Sequence, residues 1–225
     1  MTRLKLGKCA AAAALTPPAR RVHLEVLKAA ATTGRAPVRT ELERIARDQG
    51  SEPDAVLAEL GDRDVIAFDA CGEIRAAYPF SPSPTSIQVT WSDGPSAYAM
   101  CAIDALGMSA MLGHPVKITA AEPGTTAVII VEADGVHARW NPDTAVVFAG
   151  SKGDRCGPAA DQSCGYISFF TSAEAACAWA ARHPDINGTL LHQAEALEDG
   201  VAEFGTLMHH PIGRWRRGRC SQTDI

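Results

Sequence analysis

Residues 98–106 read Tyr-Ala-Met-Cys-Ala-Ile-Asp-Ala-Leu, with a single acidic side chain inside an apolar run. Apolar residues recur at helical spacing across residues 97–112, and Gly113 follows as a helix stop. We therefore predict a helix over residues 97–112. Residues three apart lie on the same face of a helix, so Cys101 and Asp104 are expected to point at one spot.

A second cysteine, Cys164, stands where a polar loop over residues 150–161 gives way to the apolar segment 166–170. We predict a strand over that segment, and loops that a scaffold holds in place often carry functional residues. Thiolates select soft metals, and a carboxyl group shielded from water can hold the proton of a general acid. Cys101, Asp104 and Cys164 are therefore candidate metal ligands and candidate catalytic residues.

A structural role stays open for each of these residues. A lone cysteine on an apolar helix face usually packs in the core, and Asp104 could lie on a solvated helix face. Trp91, Tyr98 and Met100 are close in sequence and are expected to supply the apolar surroundings of Asp104.

The rest of residues 85–208 alternates between strand and helix patterns. Strands are predicted at residues 87–91, 116–119, 127–132, 136–140, 145–149 and 166–170. The turn Ala133-Asp134-Gly135 joins the third and fourth of them as a hairpin. Ser172 is placed to cap a helix that ends near Arg182, and a last helix covers residues 194–208. The pattern indicates an α+β fold with a mixed or antiparallel β-sheet core and flanking helices.

Residues 20–80 have the pattern of a winged-helix-like three-helix unit. Its predicted elements are, in chain order, a helix ending near Gly34, a helix after Thr40, a helix from Pro53 to a stop at Gly61, and a hairpin with strands at 64–68 and 73–77.

The Pro- and Ser-rich segment 79–84 marks the predicted boundary between two domains. Residues 1–80 would form a flexible or helical arm followed by the winged-helix-like domain. Residues 81–225 would form an α+β domain that carries the candidate site and ends in a basic tail at 214–219.

Charge and hydropathy argue against two classes of partner. The net charge of −5 at pH 7 disfavours nucleic acid and anionic membranes. The third predicted helix would be the DNA reader of a winged helix, yet residues 53–62 hold three acids and no base. No apolar run approaches the roughly 18 residues of a membrane span. We therefore expect no nucleic-acid partner and no membrane partner.

The chain has seven cysteines, an odd number with irregular spacing and no Cys-x-x-Cys pair. A disulfide framework or a zinc ribbon is therefore not supported, and free thiols in a reducing, cytoplasmic compartment are expected. Cys177 is expected to pack within an alanine-rich helix, and Cys9 and Cys71 to be incidental. Cys156 could serve as an auxiliary thiol, and Cys220 could relay a soft metal.

These stretches resemble the organomercurial lyase (alkylmercury lyase) family. The resemblance covers about residues 85–208, and the winged-helix-like N-terminal unit agrees with the architecture of that family. The motifs that carry it are residues 98–106, Gly113, Ser163-Cys164 with the strand that follows, Ser172, Ala178-Trp179-Ala180 and His183.

The resemblance implies protonolysis of a carbon–mercury bond, in which R–Hg⁺ gives a hydrocarbon and Hg(II). It implies that Cys101 attacks mercury first, that Asp104 protonates the leaving carbon, and that Cys101 and Cys164 then hold Hg(II). It implies no cofactor, with Hg(II) bound only as product. The implied partners are organomercurial substrates, cytosolic thiols and a mercuric reductase that accepts Hg(II).

Three positions depart from the family pattern. The region of Glu122 lacks a further cysteine that relatives carry and that is regarded as structural. Met100 stands where many relatives have tryptophan, and Gly165 stands where some have a second thiol.

Two alternative functions are a non-catalytic carrier of mercury or copper and a metal-responsive winged-helix regulator. Asp104 favours the lyase over the carrier because a carrier needs no proton donor, and the acidic third helix counts against the regulator.

Overall fold

The structure is a computed structural model, and it describes residues 7–91, 95–152 and 158–209 of the 225-residue chain. The N-terminal part holds the helices α1 (Lys8–Ala13), α2 (Pro17–Thr33), α3 (Arg39–Asp48) and α4 (Pro53–Asp62). Proline opens α2 and α4, and it suits a helix start because its missing N–H would have no partner there. Gly34 ends α2 with a left-handed φ of 70°.

The helices of the N-terminal part lie where the sequence predicts them, except for the C-terminal end of α4. Gly61 lies inside α4 and does not stop it. A glycine inside a helix costs only about 1 kcal/mol relative to alanine, and the preceding apolar face of α4 is buried. The winged-helix assignment of this unit stays a prediction.

One antiparallel sheet runs from the N-terminal part into the rest of the chain. Its strands are β1 (Ile66–Phe68), β2 (Ile74–Ala77), β3 (Phe80–Ser81), β4 (Ile87–Thr90), β5 (Ser96–Ala99), β6 (Val116–Ala121), β7 (Val128–Asp134) and β8 (His137–Asn141). They lie in the order β1-β2-β3-β5-β4-β6-β7-β8. The short β3 pairs with β2 on one side and with β5 on the other, so the sheet crosses the predicted boundary. The division into residues 1–80 and 81–225 stays a prediction.

A second, smaller antiparallel sheet contains β9 (Val146–Lys152), β10 (Ile167–Phe170) and β11 (Ile186–Leu191), in the order β10-β9-β11. The strand β11 is absent from the sequence prediction. Its central residues 187–189 are exposed and include a glycine, so the segment shows no alternating burial pattern. The segment forms a strand because it pairs with the buried strand β9.

The helix predicted over residues 97–112 begins later, as α5 (Ala102–Leu112). Residues 96–99 form β5 because Ala97 and Ala99 are buried on one face and the strand pairs with neighbours on both sides. Gly113 ends α5 in a left-handed conformation with φ 74°, as predicted.

The remaining helices are α6 (Ala159–Gln162), α7 (Ala173–Ala181) and α8 (Gln193–Phe204). The α+β prediction, with an antiparallel sheet and flanking helices, is confirmed. The part of the chain described here contains no helix that is both long and apolar enough to cross a membrane.

Helix α5 is buried on nearly all sides and packs directly against α8. A Cβ atom on Gly107 would lie 2.4 Å from the carbonyl oxygen of Gly200, and one on Gly200 would lie 2.8 Å from the nitrogen of Gly107. The two glycines therefore let the helix backbones touch. This contact fixes the position of the first turn of α5, which carries the candidate site.

Candidate active site

Cys101 is the N-cap residue of α5. Its backbone is still extended, with φ −157°, and its Sγ accepts a hydrogen bond from the backbone N–H of Asp104 at 3.4 Å. That N–H is one of those that the first turn of a helix leaves unpaired. Cys101 and Asp104 do point at one spot, as predicted, but the reason is different: Cys101 precedes the first helical residue, so the Cys-x-x-Asp spacing acts through a helix cap and not through a shared helix face.

Cys164 approaches the same point from a distant part of the sequence. It opens a 3₁₀ turn, Cys164–Tyr166, between α6 and β10. Cys101, Asp104 and Cys164 are 2%, 5% and 7% exposed, and one potential ligand atom from each lies within 4.8 Å of the others. The structure thus brings together all three residues selected from the sequence. Two sulfurs and one oxygen form a ligand set that suits a soft metal.

Burial decides the protonation of Asp104. Loss of water raises the pKa of this carboxyl group from 3.8 to about 8, while the charge of Lys8 and the hydrogen bond with Cys101 lower it only in part. The Oδ2 atom is buried and has no hydrogen-bond partner. At neutral pH the carboxyl group therefore retains a proton that it can deliver within the site.

Burial also raises the pKa of the Cys101 thiol well above its ordinary value. The hydrogen bond with Cys164 and the charge of Asp104 act in the same direction. An ionised group without a partner is costly in such surroundings, so the protonated forms are favoured. A metal cation that binds there displaces protons, because thiolates rather than thiols are its ligands.

The three side chains line a pocket of about 240 Å³. Ile103 and Ile167 supply apolar wall next to them, and the N-terminal part supplies Lys8, Asp64 and Tyr78. The pocket is therefore formed by both halves of the chain.

The aromatic and sulfur side chains expected around Asp104 lie elsewhere. Trp91, Tyr98 and Met100 are not among the residues that line the pocket. Trp91 packs near His114, with ring centroids 6.2 Å apart. Tyr98 belongs to β5, so the helical geometry that would have placed it beside Asp104 does not apply.

The pocket residues of the N-terminal part were missed by the sequence analysis. Lys8 Nζ forms an ion pair with Asp64 Oδ2 at 2.6 Å and lies 3.6 Å from the centroid of the Tyr78 ring. The backbone N–H of Lys8 donates to Glu203 Oε1 at 2.8 Å, which ties α1 to α8. These residues are widely separated in sequence, so no spacing pattern signals that they meet.

Glu122 occupies the region in which the resemblance implies a further cysteine. Its Oε1 accepts hydrogen bonds from the Thr171 backbone N–H at 2.8 Å and from the Thr171 hydroxyl at 2.7 Å. Its Oε2 accepts from the Thr125 hydroxyl at 3.0 Å. Burial would raise the pKa of Glu122, but these bonds outweigh that effect and lower it. An ionised, buried carboxylate thus links the end of β6 to the end of β10.

The other cysteines differ in exposure. Cys9 is half-buried, with Sγ 3.1 Å from the Thr206 hydroxyl, and Cys71 is exposed. Cys177 is also exposed, so the prediction that it packs is wrong. Its neighbour Ala176 is the residue that α7 buries, and the next residue along a helix points about 100° away. The predictions for Cys156 and Cys220 fall outside the described residues.

Comparison with known proteins agrees with this chemistry. The family model described as "MerB: Alkylmercury lyase" matches residues 80–205. An alkylmercury lyase of Streptomyces lividans is 30% identical over 162 residues, which are 71% of this chain and 72% of that protein. An alkylmercury lyase of Staphylococcus epidermidis is 30% identical over the same shares.

A solved structure described as "Crystal structure of the mercury-bound form of MerB2" has the same fold. It matches with a TM-score of 0.67 and 24% identity, over 89% of this chain and 96% of that one. The family match, over residues 80–205, contains Cys101, Asp104 and Cys164. The chain therefore belongs to the alkylmercury lyase family and is an organomercurial lyase.

Proposed function

We propose that Cys101, Asp104 and Cys164 carry out the protonolysis of the carbon–mercury bond in this enzyme. The observation that carries the proposal is the convergence of their ligand atoms, each within 4.8 Å of the others, in a buried pocket. The two thiols supply soft ligands for mercury, and the protonated carboxyl group supplies the proton that the carbon needs.

The first step is a thiol exchange. A substrate that arrives as an adduct with a small thiol, R–Hg–SR′, passes R–Hg to Cys101, and the Cys101 proton leaves on R′SH. One Hg–S bond breaks and one forms, without oxidation or reduction. The N-cap position of Cys101 favours this step because the N–H groups at the start of α5 stabilise negative charge on sulfur as the proton leaves.

The second step breaks the bond between mercury and carbon. Binding of Cys164 raises the electron density on mercury, and the electron pair of the Hg–C bond takes up the proton of Asp104. The proton of Cys164 then restores the carboxyl group. Cys101–S–Hg–R and Cys164–SH are thus converted to R–H and a Hg(II) bis-thiolate. Asp104 lies in place beforehand, so little reorganisation accompanies the transfer.

The product Hg(II) stays on the two thiolates until other thiols remove it. Two small thiols of a reducing, cytoplasmic compartment, or a mercuric reductase, would take the metal and return two protons to the cysteines. The solved structure with the same fold is described as a mercury-bound form, which supports a mercury site on this scaffold. The chain itself supplies both sulfurs and the proton, so the steps need no cofactor.

A carrier for a soft metal would use the same two thiols. It would gain little from a buried carboxyl group that retains its proton at neutral pH, since a protonated carboxyl group is a poorer metal ligand than a carboxylate. Asp104 therefore favours the lyase.

The test is hydrocarbon release. The purified protein is incubated with phenylmercury and an excess of small thiol, and benzene is measured against a buffer blank. We expect benzene from the wild-type protein and none above the blank from Cys101→Ser or Cys164→Ser. Wild-type protein that binds phenylmercury but releases no benzene would refute the assignment of these roles.

A further inference from the structure

The short helix α6, which precedes Cys164, contributes little apolar surface to the core. It is one turn long, Ala159–Gln162, none of its residues is fully buried, and only Ala159 and Ala160 pack, half-buried, against the core. Cys164 follows after Ser163 and must nevertheless stay beside Cys101 and Asp104. Polar contacts from outside the helix, including the exposed Arg75–Asp161 ion pair at 2.6 Å, therefore contribute to holding it in place.

Those contacts come from the N-terminal part of the chain. Asp64 Oδ2 accepts a hydrogen bond from the backbone N–H of Ala159 at 3.1 Å. The Tyr78 hydroxyl accepts one from the N–H of Ala160 at 2.7 Å and donates to Asp64 Oδ1 at 3.2 Å. These contacts satisfy N–H groups of the first turn of α6, which have no partner within the helix.

Asp64 is the centre of this group. Lys8 Nζ binds its Oδ2 at 2.6 Å and also contacts its backbone carbonyl oxygen. Among the described residues Asp64 is the one non-glycine residue with positive φ, at 50°. Such a conformation is strained for a residue with a side chain and persists where the surrounding contacts require it. One carboxylate thus connects α1, the turn that follows β2, and α6 at the edge of the pocket.

We infer that Asp64 is a positioning residue of the active site, which fixes α6 and thereby holds the Cys164 sulfur opposite Cys101. This rests on the proposed role of Cys164 as the second mercury ligand. Asp64 acts through Ala159 and through Tyr78, and it forms no bond to mercury. The N-terminal part of the chain is on this account a component of the active site.

The test replaces Asp64 with asparagine. Asparagine has the same shape and tolerates the left-handed conformation, but one of its two oxygens becomes an NH₂ group that cannot accept a hydrogen bond. Circular dichroism and thermal unfolding of Asp64→Asn should resemble the wild type. Its affinity for Hg(II), measured by competition with a small dithiol, should fall about 10- to 100-fold, as is typical for partners that orient a ligand.

Single-turnover kinetics separate positioning from a general loss of structure. Transfer of phenylmercury to Cys101 should proceed at the wild-type rate, since Cys101 is held by α5, while benzene release should slow about 10- to 100-fold. The matched control is Asp185→Asn, which breaks an exposed ion pair with Lys152 at 2.8 Å in the small sheet. Both rates should be unchanged in that control.

Wild-type Hg(II) affinity together with wild-type benzene release in Asp64→Asn would overturn the inference. If the variant does not fold, Tyr78→Phe removes the hydroxyl that bridges Asp64 and Ala160 and should weaken Hg(II) binding in the same sense. The Hg(II) competition needs no turnover. The Hg(II) competition therefore still tests the positioning role of Asp64 if the proposed lyase roles prove wrong.

Discussion

The backbone N–H of Asp104 donates a hydrogen bond to the sulfur of Cys101 at 3.4 Å, so the first thiol caps the helix turn that carries the proton donor. The sulfur and the carboxyl group keep a fixed relative position because both belong to one helix start. A substrate bound to this sulfur is thereby placed beside the acid.

Cys101→Ser should fold and yet be inactive. Serine is a favoured N-cap residue, so the cap is retained and unfolding free energy should change by less than about 1 kcal/mol. The hydroxyl is a poor ligand for a soft metal, so benzene release should fall to the blank. Cys177→Ser is the control, since Cys177 is exposed on α7 and its loss should leave benzene release unchanged. Measurable turnover by Cys101→Ser would contradict the role of the thiol.

Hydrocarbon release should depend on pH through Asp104. Its pKa is raised to about 8, so the acid form dominates below pH 8 and is lost above it. The rate of benzene release from protein loaded with phenylmercury should therefore be flat up to about pH 7 and fall tenfold per pH unit well above pH 8. A rate that continued to rise beyond pH 9 would show that another group delivers the proton.

Asp104→Asn should stabilise the fold toward pH 8 and should also prevent hydrocarbon release. Between the ordinary pKa of 3.8 and the folded value of about 8, the folded protein holds a proton that the unfolded chain has lost. The contribution of Asp104 to stability therefore falls as pH rises through this window. Melting temperatures of wild type and variant should be similar at pH 4 and diverge in favour of the variant toward pH 8. A constant difference across that range would argue against the raised pKa.

Glu122→Ala should lower stability with little effect on chemistry. It leaves the N–H and hydroxyl of Thr171 without their acceptor, at a cost of about 2 kcal/mol. Denaturant unfolding measures the loss, and benzene release at low temperature should remain close to that of the wild type. Glu132→Ala is the control, because Glu132 is exposed and 3.7 Å from Arg139, and it should cost less than about 0.5 kcal/mol. Equal losses in the two variants would contradict a structural role for Glu122.

Gly107→Ala should separate α5 from α8. The added Cβ would lie 2.4 Å from the Gly200 carbonyl oxygen and 2.7 Å from the Phe204 ring, so the helices must move apart. We expect a loss of about 1–3 kcal/mol in unfolding free energy and slower benzene release, because the first turn of α5 shifts. Gly61→Ala in α4 is the control, since its Cβ would meet Phe68 at an ordinary 3.7 Å and helix propensity favours alanine. Stability of Gly107→Ala at or above the wild-type value would show that the helices adapt.

The sequence alone determined the choice of site residues and most of the elements. An acid within an apolar run and two cysteines at motif positions are local features, and helix stops such as Gly34 and Gly113 depend on local backbone conformation. Such features are visible in one sequence because the residues concerned are neighbours along the chain.

Only the tertiary structure decided how the site residues meet and what surrounds them. The segment 96–99 fits both a strand and the start of a helix, and pairing with β3 and β4 makes it a strand, which turns Cys101 into a cap. The pKa of Asp104 follows from burial by the whole fold. Lys8, Asp64 and Tyr78 enter the pocket through contacts between distant segments, which no local pattern encodes.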